Sequence, residues 1–184
     1  MPSFDLQDFV SQAKAASTGP DAYDNIKSMM LQAFTNPQAV AAAMPPLAGT
    51  DEVLYEDEHI SIWHVYFDPT NVVPPHDHQT QVAIGIHTGI ERNFIFQQTT
   101  QGLVLETIQD LSPGDTFFLE PETIHAAGAA TSAAVMGIHI YMAALTKIDR
   151  SLFDWDTGEA LSFSDEVYAR LKRQPDYLER YTQA

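Results

Sequence analysis

The sequence predicts a mainly β protein, an antiparallel barrel or sandwich with helices before it and a short helix after it. Hydrophobic residues repeat with a helical period up to about residue 46, and from about residue 51 the period changes to two. Turn-forming residues separate the period-two segments, and no helical pattern lies between them. Many short strands without intervening helices are typical of antiparallel sandwiches and barrels.

Residues 1–46 are predicted to form helices that pack on the barrel. Proline-containing pairs at Gly19-Pro20, Asn36-Pro37 and Pro45-Pro46 mark where helical patterns stop. Between these boundaries, two stretches follow the spacing of an amphipathic helix: Leu6, Phe9, Val10 and Ala13, and then Tyr23, Ile26, Met30 and Ala33. The short alanine-rich stretch 38–43 is expected to be a third helix.

Residues 47–150 are predicted to form the barrel. The segments rich in β-branched and aromatic residues are 59–67, 81–87, 93–98, 103–110, 116–120 and 134–142. Residues 151–184 are expected to be a loop and a helical tail. Ser164 can cap that helix, with acidic residues in its first turn and Lys172 and Arg173 in its last. A chain of 184 residues fits one domain overall.

Composition excludes several classes of function. The chain has 25 acidic and 9 basic residues, a net charge of −16, which disfavours binding to nucleic acid or to anionic membranes. It has no cysteine, so a disulfide scaffold or a cysteine-ligated metal is excluded. Neither a signal peptide nor an apolar run long enough to span a membrane is present. We expect a cytoplasmic protein, monomeric or homodimeric.

Histidines carry the chemical signal. His76 and His78 are one residue apart in VPPHDHQTQ, and residues i and i+2 of a strand face the same side. Neutral imidazoles bind zinc, iron, nickel and copper, but two ligands make a weak site. His125 is the candidate third ligand. The alternative for the first two histidines alone is an ordinary polar turn.

Two segments resemble the paired motifs of the cupin superfamily: PPHDHQTQVAIGIHTG and PGDTFFLEPETIH. In cupins a His-x-His pair and a later single histidine bind a metal inside a double-stranded β-helix, which the resemblance implies here. Many cupins also carry a glutamate ligand five residues after the second histidine, where this chain has Ala83. The resemblance therefore implies a three-histidine site of His76, His78 and His125, with coordination positions left open.

The segment GIHIYMAALTKIDRSLFDWDTGE resembles the late strand and following loop of cysteine dioxygenase and related thiol dioxygenases. These enzymes have a Ser-x-His-x-Tyr relay, and His139 and Tyr141 match its histidine and tyrosine, with Gly137 in place of the serine. The resemblance implies that Tyr141, steadied by His139, donates a hydrogen bond to the substrate head group or to oxygen. The alternative for this pair is a hydrogen-bonded pair in the core.

Two features separate this chain from cysteine dioxygenase itself. The cysteine that cross-links to the tyrosine in some members would fall at Ala83. No arginine or lysine lies between Lys27 and Arg92, so the strand that carries the substrate-carboxylate arginine in that enzyme has none. Arg92 or Arg150 could substitute for it. His87 either lines the pocket or bonds a core carbonyl, because alternation from Ala83 through Gly85 predicts that it faces inward.

The function that follows is a mononuclear non-haem Fe(II) dioxygenase acting on a small thiol or related anionic substrate. Zinc, nickel, manganese and copper are alternative metals, because imidazole ligands accept several metals. A second hypothesis keeps the three-histidine site but cleaves a diketone-like substrate that chelates the metal. A third is a non-catalytic metal-binding or ligand-binding cupin, which small residues facing inward at Ala83 and Gly85 would argue against.

Overall fold

The computed structural model describes residues 4–182, so the outer ends of the first and last predicted segments, 1–3 and 183–184, lie outside the described residues. The helices are α1 (Leu6–Ala16), α2 (Ala22–Ala33), α3 (Pro37–Ala43), α4 (Asp165–Leu171) and α5 (Glu179–Thr182), with 3₁₀ turns at Leu145–Lys147 and Pro175–Leu178. None of the helices in residues 4–182 is long and apolar enough to cross a membrane.

Two antiparallel sheets form the body of the protein. The strands are β1 (Glu52–Glu56), β2 (Ser61–Phe67), β3 (Val72–His76), β4 (Val82–Thr88), β5 (Glu91–Thr99), β6 (Gly102–Leu111), β7 (Thr116–Leu119), β8 (Ile124–Ala129), β9 (Val135–Tyr141), β10 (Ser151–Phe153) and β11 (Ala160–Ser162). Sheet A has the order β1-β2-β9-β4-β7, and sheet B has the order β11-β10-β3-β8-β5-β6. From β2 to β10 the chain passes back and forth between the two sheets, which is the winding of a double-stranded β-helix. The predicted fold is therefore confirmed.

The helices before the barrel form where the periodicity predicts them, and their apolar faces cover sheet A. Ile26 and Met30 of α2 are completely buried in one cluster with Ile62 and Ile138 of the sheet. Tyr23 adds a hydrogen bond between α2 and sheet A, because its hydroxyl donates to the carbonyl oxygen of Val82 at 2.9 Å. Asp5 caps α1 by accepting from the backbone N–H of residue 8 at 2.8 Å.

The C-terminal segment covers sheet B. Ser164 caps α4, its hydroxyl accepting from the Val167 N–H at 3.2 Å, as predicted. Trp155 is buried and donates from its indole nitrogen to the carbonyl oxygen of Leu171 at 2.7 Å. This bond joins the loop after β10 to the end of α4, which packs beside β3.

Several strands are not predicted by the period-two pattern of hydrophobic residues. β3 contains Pro74 and Pro75, which cannot donate to a sheet ladder, and its pairing with β8 is irregular between Val73 and His76. β8 has the sequence IHAAGA, whose alanines have low strand propensity. β1 has the acidic sequence EVLYE. Pairing with neighbouring strands, rather than local propensity, makes these segments extended.

The expectation that Ala83 and Gly85 face the interior is wrong. Ala83 is buried in the cluster formed with the helices, and a β-carbon on Gly85 would lie 2.3 Å from the ring of Phe34, which follows α2. The interior face of β4 carries apolar side chains instead: Val82, Ile84 and Ile86. The turn between His78 and β4 includes Gln79 with a positive φ of 52°, and this turn resets the alternation of faces.

Candidate metal centre

Three histidines meet inside the barrel on sheet B. His76 is the last residue of β3, His125 is in β8, and the two are cross-strand partners in the sheet ladder. His78 lies in the loop that follows β3, so its approach depends on that loop and not on strand alternation. One ring nitrogen from each lies within 4.8 Å of the others, and all three side chains are buried.

The loop that carries His78 is held by its middle residue. Asp77 is buried, and its carboxylate accepts from the backbone N–H of Ser151 at 2.9 Å and from the side-chain amide of Gln79 at 2.8 Å. The Asp77 N–H donates in return to the Ser151 carbonyl oxygen at 3.2 Å. Asp77 therefore attaches the loop to β10.

Hydrogen bonds assign which nitrogen of two rings carries the proton. His76 Nδ1 lies 2.9 Å from the carbonyl oxygen of Pro74, which only accepts, so Nδ1 carries the hydrogen and Nε2 has a free lone pair. His125 Nδ1 lies 2.8 Å from Asn93 Oδ1, which likewise leaves a lone pair on Nε2. The Nε2 atoms of His76 and His78 are 3.2 Å apart. His125 Nε2 is buried and has no hydrogen-bond partner within residues 4–182.

Burial keeps these rings neutral. It lowers the pKa of His76 to about 4, and it lowers the pKa values of His78 and His125 well below the usual range. The mutual proximity of the three rings adds to the effect for His78 and His125. Neutral imidazole is the ligating form, so no proton has to leave before a metal binds at neutral pH.

The residues present therefore fit a metal ion. His125 Nε2 has no partner in the described part of the chain, and ring nitrogens of all three histidines lie within 4.8 Å of one another in a buried site. The Nδ1 atoms of His76 and His125 donate to oxygen atoms, as is usual for histidine ligands. Within the described part of the chain no glutamate completes the set, since Ala83 faces the helices and Val82, its inward-facing neighbour, is apolar. Three buried histidines in this fold form a candidate metal centre, and imidazole alone leaves the identity of the metal open.

His139 and Tyr141 lie on the same inner face of β9, beside the three histidines. The Tyr141 hydroxyl is 3.5 Å from His139 Nδ1, at the long limit of a hydrogen bond, and its ring centroid is 5.2 Å from that of His78. Burial, followed by the charge of Asp51, raises the pKa of Tyr141, so the hydroxyl keeps its proton at neutral pH. It is available as a donor.

A buried carboxylate stands at the other end of this pair. Glu91 Oε2 lies 3.5 Å from His139 Nε2, and Glu91 Oε1 accepts from Asn93 Nδ2 at 2.8 Å. Asn93 in turn accepts from His125. Neither Glu91 nor Asn93 was expected from the sequence to belong to the site. The sequence did contain one signal for them: Glu91 and Asn93 are two residues apart at the start of β5, so both polar side chains lie on the strand face opposite Arg92.

A cavity of about 440 Å³ opens beside the three histidines, between the sheets and α4. His139 and Tyr141 line it, and so do two cations, Arg150 and Lys172. The Arg150 guanidinium stacks on the ring of Phe163, with 3.8 Å between its Cζ and the ring centroid. Within residues 4–182, no carboxylate forms an ion pair with it.

Trp63 is a further cavity residue that the sequence did not single out. Its indole nitrogen is buried and has no acceptor within the described part of the chain. Trp63 and Arg150 also line a second, adjoining cavity of about 620 Å³. Two groups that can only donate hydrogen bonds thus share one wall between the two spaces.

The other two residues expected to bind substrate lie elsewhere. Arg92 is on the outer side of sheet B, where its guanidinium forms two hydrogen bonds to Asp110 at 2.7 and 2.6 Å. His87 is on the face of sheet A opposite the cavity, and its Nε2 lies 3.1 Å from that of His64. The structure therefore brings Arg150, but neither Arg92 nor His87, to the candidate metal centre.

No protein-family model matches this chain, and neither does any curated protein. Among solved structures, it is similar to an uncharacterized conserved protein with a double-stranded β-helix domain from Klebsiella pneumoniae, with 16% identity, a TM-score of 0.46, and 61% of this chain and 87% of that one covered. An RmlC-like cupin from Methanocaldococcus jannaschii has 15% identity, a TM-score of 0.46, and coverage of 56% and 90%. Oxalate oxidase in complex with the substrate analogue glycolate has 16% identity, a TM-score of 0.42, and 53% of each chain covered. The strand order, rather than these likenesses, defines the fold.

Proposed function

We propose that this protein is a metal-dependent dioxygenase of the cupin fold that acts on a small anionic substrate, with a thiol as the reacting group. The observation that carries the proposal is the position of an unpaired guanidinium, Arg150, in the same cavity as the three neutral histidines. A metal centre of neutral ligands and a fixed cation together suit a substrate with two anionic groups.

His76, His78 and His125 would hold the metal, which we take to be Fe(II). When bound, iron supplies open positions for the substrate head group and for dioxygen, together with the electrons that activate oxygen. For a thiol the balanced reaction is R–SH + O₂ → R–SO₂H, in which both oxygen atoms enter the product and no external reductant is consumed.

Arg150 would bind the substrate carboxylate. A guanidinium forms two parallel hydrogen bonds to a carboxylate, and stacking on Phe163 restricts its orientation. The unpartnered Trp63 N–H on the same wall can donate one more hydrogen bond. Lys172 adds positive charge at the cavity in a protein whose net charge is −16, so an anion is attracted here against the overall field.

Tyr141 would donate a hydrogen bond to the reacting head group. Its hydroxyl remains protonated because burial raises its pKa, and its ring packs beside His78. His139 would orient the hydroxyl from the neighbouring position on the strand face. The apolar side chains of Val82 and Ile84 close the other side of the barrel and limit the access of water.

The first experiment is to measure the metal content of protein purified without an affinity tag from its own host, with His125→Ala for comparison. We expect about one iron per chain in the wild type and none in the variant. His59→Ala, which alters an exposed histidine, is the matched control and should retain metal. Absence of metal from the wild type, or its retention in His125→Ala, would contradict the proposal.

Substrate class is then tested by oxygen consumption. We expect consumption with small thiols that carry a carboxylate, and the sulfinic acid product identifies the reaction. Consumption with β-dicarbonyl compounds alone would replace the thiol hypothesis with carbon–carbon cleavage. An iron-loaded protein that consumes no oxygen with either class would indicate the non-catalytic alternative, although the open cavity of about 440 Å³ argues against a blocked site.

A further inference from the structure

We infer that Glu91 is a positioning residue of the metal centre: through Asn93 it orients His125, and its charge balances one of the two positive charges of a bound dication. The inference rests on the proposed function only as far as metal binding, and it does not depend on the reaction catalysed.

The burial of Glu91 is the first argument. Its exposed fraction is 0%, and its only ion-pairing partner within residues 4–182 is His139. A buried carboxylate without a cation is costly, because the protein interior solvates charge far less well than water does. No lysine or arginine of the described chain forms an ion pair with it, so a cation bound nearby would offset this cost.

The hydrogen-bond sequence is the second argument. Asn93 donates from Nδ2 to Glu91 Oε1 at 2.8 Å, and this bond sets the orientation of the Asn93 amide. Asn93 Oδ1 is then directed at His125 Nδ1, 2.8 Å away. Because Oδ1 accepts, His125 carries its proton on Nδ1 and presents the lone pair of Nε2 to the metal position. Glu91 thus determines the tautomer of a ligand that it does not touch.

The second oxygen of Glu91 extends the network across the barrel. Oε2 lies 3.5 Å from His139 Nε2, so a residue of sheet B contacts a residue of sheet A in the interior. His139 is in turn next to the Tyr141 hydroxyl. One carboxylate therefore stands between the metal ligand His125 and the hydroxyl that faces the substrate, so a change at Glu91 is expected to affect both.

Charge balance is the third argument. Three neutral imidazoles leave both positive charges of a dication uncompensated, and Glu91 supplies one negative charge in the surrounding network. A monoanionic head group, such as a thiolate, would supply the other. The inference therefore deepens the proposed substrate class, since the metal position would favour a head group with one negative charge, while Arg150 would bind the separate carboxylate of the same substrate.

The test uses metal affinity. We would titrate metal-free protein with Co(II) and record the dissociation constant and the visible absorption of the bound ion, which reports ligand geometry. Glu91→Gln keeps an oxygen that can accept from Asn93 but removes the charge. We expect its affinity for Co(II) to fall about 10- to 100-fold and its spectrum to shift. The control is Glu106→Gln, which removes one negative charge from the exposed side of the neighbouring strand β6 and should change neither.

A double variant guards against mere structural damage. Glu91→Gln combined with Asn93→Asp keeps the shapes of both side chains. It moves the negative charge from position 91 to position 93, whose side chain contacts His125 directly. The new carboxylate can still accept from His125 Nδ1, and the new amide can donate to it. We expect this variant to recover most of the lost affinity, which a simple packing role for Glu91 would not predict.

The outcomes separate the inference from the proposed function. If the wild type binds no Co(II), the metal centre itself is refuted. If the wild type binds and Glu91→Gln binds equally well with the same spectrum, the role assigned to Glu91 is refuted while the metal centre stands. Should Glu91→Gln fail to fold, the double variant decides: a folded double variant with weak Co(II) binding would also overturn the inference.

Discussion

Gly85 lies directly against the ring of Phe34, so closely that a β-carbon on residue 85 would be 2.3 Å from Phe34 Cε2. Gly85 is in the central part of sheet A, and Phe34 follows α2. The helical layer therefore approaches the barrel to a distance that only glycine permits at this position. This contact shows which face of β4 is covered by helices and which face is left for the interior.

We predict that Gly85→Ala destabilises the protein by about 1–3 kcal/mol, because the added methyl forces the Phe34 ring or the strand to move. Unfolding in urea, followed by circular dichroism, measures the change. In a Phe34→Leu background the same substitution should cost less, since the ring atoms that collide with the methyl are absent. Equal costs in the two backgrounds would show that the contact is not the cause.

Metal binding should stabilise the folded protein. A ligand that binds only the native state at 100 times its dissociation constant adds about 2.7 kcal/mol, which for a domain of this size corresponds to a rise in Tm of roughly 5–10 °C. We expect this rise when Zn(II) or Co(II) is added to the metal-free wild type, and its reversal by a chelator. The Tm of His125→Ala should not respond; a similar rise in that variant would place the bound ion elsewhere.

Stability should fall in acid partly because of His64 and His87. Burial lowers the pKa of His87 to about 4 and also lowers that of His64, and their Nε2 atoms are 3.1 Å apart. Between pH 6.5 and 4 the unfolded chain therefore binds more protons than the folded one. The stabilisation is fully present above pH 6.5 and is lost as the pH decreases towards 4.

His87→Gln removes one of these titrating groups and isolates its share. In chelator-treated protein, we expect the loss of unfolding free energy between pH 7 and pH 4 to be about 2–3 kcal/mol smaller in this variant than in the wild type. The three histidines of the candidate metal centre titrate in both proteins, so their contributions cancel in the difference. His59→Gln, at an exposed position, should follow the wild type. Parallel curves for wild type and His87→Gln would refute the assignment.

Arg150 should govern substrate binding more than turnover. Loss of a charge-assisted hydrogen bond costs about 1.5–3 kcal/mol, so Arg150→Gln should raise KM for a carboxylate-bearing substrate roughly 10- to 100-fold while kcat changes little. Substrates without a carboxylate should be unaffected. Arg92→Gln is the control, because Arg92 pairs with Asp110 outside the cavity. An equal effect of both variants would indicate a general charge effect.

Local sequence pattern was enough to locate the helices and six of the strands, while the resemblance to the cupin motifs indicated the three histidines. The helical period predicts α1 and α2 because their apolar faces repeat at fixed intervals, and a capping serine predicts the start of α4. The helical period and the serine cap both depend on interactions between residues only a few positions apart in the chain. The spacing of His76 and His78, and the resemblance of two segments to the cupin motifs, indicated these two residues and His125, which the structure brings together.

The strands β3 and β8 were missed for a related reason. Prolines in one and alanines and glycine in the other argue against strand locally, yet the two strands pair with each other and carry two of the three histidines of the candidate metal centre. Sheet pairing is a non-local interaction, and its energy exceeds the local preference.

The sequence by itself therefore determined a mainly β barrel preceded by helices, and its resemblance to the cupin motifs indicated the double-stranded β-helix and the three histidines. Tertiary structure alone decided that Ala83 faces the helices, that Arg150 rather than Arg92 lies in the cavity, and that Glu91 stands between His125 and His139. The physical reason is that the alternation of inward and outward side chains in one strand does not predict which residues face inward after a turn. In addition, residues distant in sequence meet only when the two sheets pack.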